Sequence, residues 1–167
     1  MIVVVMGVSG SGKTTLGQQL AARLGCGFID ADDYHPKENV AKMAAGVPLE
    51  DADRWPWLDA LNGLLRAKSG RAESVVLACS ALKQAYRARL CAEIDDCRIV
   101  YLRGSIEQIR ARLAERRHRY MPASLLESQF DALEPPQGAI TVDVSESAER
   151  CVETVLAALG SSRRPRP

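Results

Sequence analysis

The sequence has no apolar run approaching the about 18 residues needed to cross a bilayer. Its longest apolar opening, Met1–Met6, runs straight into Gly7, with no basic stretch before it and no cleavage-like site after it, so a secretory signal is not expected. An excess of charge of one sign is also missing: 22 Lys and Arg stand against 21 Asp and Glu, for a net charge of +1. That excludes whole-surface attraction to nucleic acid or acidic membrane, and any working positive charge must be local. The five cysteines, Cys26, Cys79, Cys91, Cys97 and Cys151, are odd in number and none has C-x-x-C spacing. This argues against a disulfide framework or a zinc site. The expectation is a soluble cytoplasmic protein with free thiols and neither nucleic acid nor membrane as partner.

What is present fits one domain with one core: 167 residues, 47% of them apolar and 26% charged. Ile2–Met6 is an unbroken, mostly β-branched run bounded by glycine and reads as a strand buried on both faces. The segments 27–30, 74–79, 98–102 and 139–144 read the same way. Between them, helical spacing aligns Leu16, Leu20 and Leu24; Leu58, Leu61 and Leu65; Ile106, Ile109 and Leu113; and Val152, Val155 and Leu159. Alternating strands and helices predict an α/β fold with a five-stranded parallel sheet between helical layers. Ligands in such sheets bind at the carboxyl ends of the strands. The domain is expected over residues 1–159, followed by a solvated tail over 160–167.

The segment Gly7-Val8-Ser9-Gly10-Ser11-Gly12-Lys13-Thr14 fits G-x-x-x-x-G-K-[ST]. Average residue frequencies put a chance match on the order of one in two hundred for such a chain. A buried strand before it and an amphipathic helix after it are the context a P-loop requires. The glycines allow backbone shapes in which amide N–H groups point at phosphate oxygens, and the following helix adds its positive dipole end. Lys13 is expected on the β- and γ-phosphates and the Thr14 hydroxyl on Mg²⁺, with Thr15 beside them. A glycine turn before a capped helix is the alternative. P-loop enzymes also carry a metal-organising aspartate after another buried strand, yet the strand at 74–79 runs into Ser80 with none. The acids come after the second strand, as Asp30, Asp32 and Asp33. Alternate residues of an extended segment share a side, so Asp30 and Asp32 can face one region. Asp30 is the candidate for metal-bound water, and Asp32 for orienting or accepting the proton of an acceptor hydroxyl. The alternative is that they cap the next helix.

Taken together, D-x-D-x-x-H-P from Asp30, P-L-x-D-x-D-R from Pro48, C-S-A-L-K-x-x-Y-R from Cys79 and L-L-x-S-Q-F from Leu125 resemble the gluconate kinases. That family belongs to the shikimate-kinase-like and nucleoside-monophosphate-kinase-like P-loop group, and the resemblance spans nearly the whole chain. It implies a three-layer P-loop NTPase fold and ATP-dependent, Mg²⁺-assisted phosphorylation of D-gluconate to 6-phosphogluconate, usually by a homodimer. It also implies an acceptor-binding helical insertion around 36–68 and a lid around 114–128. Where the family commonly reads Gly-His-Phe before the lid's Met-Pro, this chain has His118-Arg119-Tyr120, and no role is carried over to His118.

A carboxylate acceptor calls for an arginine fork. Arg54 and Arg87, in the matching motifs, are the candidates, with Lys83 and His35 beside them. Arg110, Arg112, Arg116, Arg117 and Arg119 crowd one stretch, and Arg112 and Arg116 share a helix face. Arg116, and with it Arg112, is the candidate for charge on the nucleotide and the transferring group. The alternative for each arginine is a solvated surface charge. Trp55 and Trp57 read as core packing that can also wall a sugar site. Two rival functions remain at this level: a kinase for shikimate or a nucleoside monophosphate, and a nucleotide-binding regulator. Against the latter, no GTPase-type Asp follows the third strand and no N-K-x-D-like base reader is present.

Overall fold

The structure is a computed structural model and describes residues 1–115 and 123–161. Five strands, β1 (Ile2–Met6), β2 (Gly27–Asp30), β3 (Val75–Ala78), β4 (Cys97–Arg103) and β5 (Ile140–Asp143), form one parallel sheet in the order β2-β3-β1-β4-β5. Seven described helices connect and cover it: α1 (Lys13–Leu24), α2 (Lys37–Ala44), α3 (Asp51–Gly70), α4 (Gln84–Cys91), α5 (Ile106–Glu115), α6 (Ala123–Ala132) and α7 (Ala148–Ser161). All five expected strands are present within a residue or two of their expected ends.

The central strand explains the two-sided core. Ile2, Val4 and Met6 point to one face, where they meet Leu58, Leu61 and Leu65 of α3 and Leu90 of α4. Val3 and Val5 point to the other, where they meet Leu16 and Leu20 of α1 and Val152 and Val155 of α7. A strand sandwiched this way must be apolar at every position, which is why it reads as a continuous run rather than an alternating one. Because β1 lies mid-sheet, the loop after it opens at the centre of the sheet's carboxyl edge, with the ends of β2 and β3 on one side and those of β4 and β5 on the other.

Three expectations change. Helices α2, α4 and α6 are short, of 8, 8 and 10 residues, and short helices carry too few turns to show a pattern. Helix α2 falls inside the expected acceptor insertion, α4 comes beyond it after β3, and α6 overlaps the expected lid. Helix α7 continues through Ser161, two residues into the expected tail, and 162–167 lie outside the described residues. Cys91 and Cys97 are joined by a disulfide between the end of α4 and the start of β4, against the expectation of free thiols throughout. Cysteine counting failed here because the odd total hid a single pair brought together by a short turn. No described helix is long and apolar enough to cross a membrane.

Candidate active site

The P-loop wraps the carboxyl end of β1. Gly10 and Gly12 have φ of 83° and 104°, a region side chains disfavour. A Cβ at Gly10 would also lie 2.8 Å from Leu113 of α5. Gly12 starts α1, and among the described residues no side chain caps that helix. Its first-turn N–H groups are left for an anion, as a phosphate cradle requires. The Lys13 ammonium donates to Val8 O at 3.1 Å, so the lysine lies along the loop it serves. Gln129 of α6 reaches the same loop, its Oε1 accepting from Ser9 N–H at 2.7 Å.

Cavities open on both sides of this loop. One, of about 180 Å³, is lined by Ser11, Gly12, Thr15 and Arg112 together with Val144, Glu146 and Ser147 after β5. The other, of about 320 Å³, is lined by Ser9 and Lys13 of the loop, Asp32 and His35 after β2, Arg54 and Trp57 of α3, Lys83 and Tyr86 after β3, and Gln129. The P-loop is thus the wall shared by two chambers.

The larger chamber has a stiff floor. Trp57 is buried and its indole N–H donates to Ala31 O at 2.9 Å. His35 stacks on it, with ring centroids 4.1 Å apart and planes 15° apart. Burial is the largest influence on His35 and lowers its pKa; Asp32, 4.0 Å away, opposes this, and Arg54 adds to it. His35 is therefore neutral at neutral pH, a hydrogen-bonding group rather than a charge. Asn39 of α2, itself buried, donates to Asp53 O at 2.9 Å and lies 3.4 Å from His35 Nδ1. These bonds pin α2 to the start of α3. At the far wall, Lys83 donates to both oxygens of Asp51, at 2.8 and 3.1 Å, and the Tyr86 hydroxyl donates to the same carboxylate. Arg54 lies 5.6 Å over the Tyr86 ring and donates to Leu49 O at 3.3 Å.

Comparison with known proteins agrees with this geometry. A family model described as an AAA domain matches residues 2–136. A probable gluconokinase of Xenopus tropicalis is 46% identical over 93% of this chain and 91% of its own length. The thermosensitive gluconokinase of Escherichia coli K12 is 42% identical over 92% and 87%. A crystal structure of a gluconokinase from Sinorhizobium meliloti 1021 superposes with a TM-score of 0.88 at 42% identity, over 95% of this chain and 91% of that one. The chain belongs to the gluconokinase family. It is a P-loop small-molecule kinase with the α/β fold of that family.

Set against that family's expected site, the structure brings most candidates together. Thr14 Oγ1 donates to Asp30 Oδ2 at 2.9 Å, and the other Asp30 oxygen accepts from Asp32 N–H at 3.2 Å. Asp30 thus reaches α1 from two strands away, across β3. Lys13, Asp32, His35, Arg54 and Lys83 share the larger chamber. Arg112 sits in the smaller one, its guanidinium donating to Val144 O and, at 3.4 Å, to Ser11 O. Arg87 does not line the chamber. It is buried, burial lowers its pKa, and it donates to Ala81 O at 3.0 Å and Leu82 O at 2.8 Å. Its guanidinium holds the loop that carries Lys83, where Ala81 takes a left-handed φ of 42°. Arg116, Arg117, His118 and Arg119 lie outside the described residues. Cys79 is buried in the core and burial pushes its thiol up to about 12, so it is not a nucleophile.

Residue-by-residue reading missed four things: Asp51, Tyr86, Gln129 and the turn after β5. Asp51 and Gln129 look like an ordinary helix start and a helix surface residue. Only their quoted motifs, P-L-x-D and S-Q-F, hint otherwise, and nothing in the sequence pairs Asp51 with Lys83.

Proposed function

We propose that this protein transfers the γ-phosphoryl group of ATP to the terminal hydroxyl of D-gluconate, forming 6-phospho-D-gluconate and ADP. The observation that carries this reading is the P-loop as the common wall of two chambers, which suits a donor on one side and an acceptor on the other. The smaller chamber would take the nucleoside, with Arg112 and the turn after β5 around it. The triphosphate would run over the amides of 7–15 toward Lys13. The larger chamber would hold the acceptor, its carboxylate on Arg54 and its hydroxyls toward His35, Asp51 and Lys83.

In the transfer, the acceptor oxygen forms a bond to the γ-phosphorus as the bond from that phosphorus to the β-bridging oxygen breaks, and ADP leaves. Asp32 orients the attacking hydroxyl and takes up its proton. Lys13 and the loop amides stabilise the charge on the transferred group. The pairing of the Thr14 hydroxyl with the Asp30 carboxylate gives hard oxygen donors that fit Mg²⁺, directly or through water. Bound there with the nucleotide, Mg²⁺ would neutralise phosphate charge. Arg116, in the lid, would add positive charge over the phosphates, and closure would exclude water. A cytoplasmic homodimer completes the reading.

ADP release from Mg-ATP tests it, with D-gluconate beside shikimate, AMP, glucose and no acceptor. Turnover with gluconate alone is expected. Turnover with another acceptor would overturn the substrate, and turnover independent of any acceptor would favour a nucleotide switch.

A further inference from the structure

The far wall of the larger chamber carries more charge than a sugar acid needs, and its arrangement says which charge it selects. Two cations face the cavity there, Arg54 and Lys83, and one anion, Asp51. Both carboxylate oxygens of Asp51 are engaged by Lys83, and Tyr86 adds a third donor. These hydrogen bonds, Lys83 first and Tyr86 second, hold the Asp51 carboxyl below its ordinary value, so it is an anion at neutral pH. The same contact raises Lys83. The neighbouring acid Asp53 is committed elsewhere, to Lys42 at 2.6 Å and to the Glu50 N–H at 2.9 Å in the capping box of α3. Arg54, by contrast, has no carboxylate within 4 Å among the described residues. Its contacts are the Tyr86 ring and one backbone carbonyl. Two positive charges and one negative leave a net +1 at this wall, located on Arg54.

We infer that Asp51 is a specificity-determining residue: by neutralising Lys83 it tunes the chamber to an acceptor with one negative charge, and it excludes dianions. The inference rests on reading this chamber as the acceptor site. The physical reason is that an acid with a single carboxylate can be matched by Arg54 without displacing the Lys83–Asp51 pair. A phosphate or second carboxylate would need Lys83 as well, and would then sit against Asp51 with no cation between them. Asp51 also has a use for a polyhydroxy chain. A carboxylate only accepts hydrogen bonds, so it sorts for hydroxyl donors at the positions nearest it. Its place at the first residue of α3, outside the capping box, makes it removable without unfastening the helix.

The test is a charge series on one carbon skeleton: D-glucitol, D-gluconate and D-glucitol 1-phosphate carry none, one and about two negative charges. Binding to the ADP-loaded full chain is read by calorimetry or by the fluorescence of Trp57, which lines the chamber. The unaltered protein should bind the monoanion most tightly. Asp51→Asn, which leaves two unneutralised cations, should shift the ratio of dianion to monoanion affinity about tenfold toward the dianion. Lys83→Met, which leaves Arg54 against Asp51, should weaken the monoanion about tenfold more than it weakens neutral D-glucitol. A ratio unmoved by Asp51→Asn, an equal loss for all three ligands, or binding of none of them to the unaltered protein would overturn the inference. If the ratio moves as stated while the unaltered protein fails to phosphorylate gluconate, the charge rule stands and the substrate assignment falls.

Discussion

Under the proposed assignment of a donor and an acceptor chamber, the two sides of the P-loop would recognise their ligands by different means. On the donor side, recognition is built mostly from backbone: eight consecutive residues, two of them glycines held in left-handed conformations, and the uncapped start of α1. On the acceptor side it is built from five separate segments: the turn after β2, the end of α2 with the loop that follows it, the start of α3, the loop after β3 and helix α6. A backbone site is compact in sequence and tolerant of what surrounds it. A side-chain site depends on partners far apart in the chain, such as Asp51 with Lys83 and Tyr86, or Trp57 with Ala31. The donor side should therefore fail all at once when the lysine of its loop is removed. The acceptor side should fail in graded, substrate-dependent steps.

The sharpest break falls on the donor side. Lys13→Ala should lower turnover by about three orders of magnitude or more, with circular dichroism and thermal midpoint unchanged, because the lysine serves developing charge and not the core. An active variant would mean the loop is not a phosphate cradle. Next comes Arg54→Met, expected to lower kcat/KM for gluconate about a hundredfold, mostly through KM. A fall confined to kcat would move Arg54 from the acceptor to the transferring group. Arg87→Met should separate scaffold from site. It leaves Ala81 O and Leu82 O without their buried donor, for a stability loss of about 2–3 kcal/mol by urea unfolding. Gluconate KM should change less than in Arg54→Met. A larger KM effect than that of Arg54 would return Arg87 to the substrate.

The smallest effect is a pH signature. Burial depresses the His35 pKa below its ordinary 6.5 in the folded chain, so as pH falls the unfolded chain takes up that proton first. The stability this gives is full above about pH 6.5 and is lost as pH falls toward the folded value. His35→Gln should flatten the pH dependence of the thermal midpoint across that window. An unchanged slope would mean the ring is not held neutral by its seat on Trp57.

The same contrast explains what was legible in the sequence. The β1 run, the eight-residue cradle and the leucine spacing of α1 and α3 are local signals, and each maps onto an observed element. The extended alternation expected of Asp30 and Asp32 does not hold, because residues 31–34 turn into a 3-10 helix that Asp30 caps, yet the Asp30 carboxylate still accepts from the Thr14 hydroxyl. Sequence cannot separate Arg87 from Arg54, because a buried arginine holding two carbonyls and an exposed one awaiting a carboxylate look the same. Asp51 was passed over because its importance lies 32 residues away, at Lys83. The Cys91–Cys97 bond was missed for the opposite reason: a six-residue separation is common and says nothing until a turn closes it.

The most direct test of the central claim is the initial-rate pattern with Mg-ATP and D-gluconate varied together. Two chambers sharing one wall require both ligands to be bound at once, so reciprocal plots should intersect and no phosphoryl-enzyme should accumulate when ATP is supplied alone. Parallel lines, with a phosphorylated protein formed in the absence of acceptor, would contradict the account.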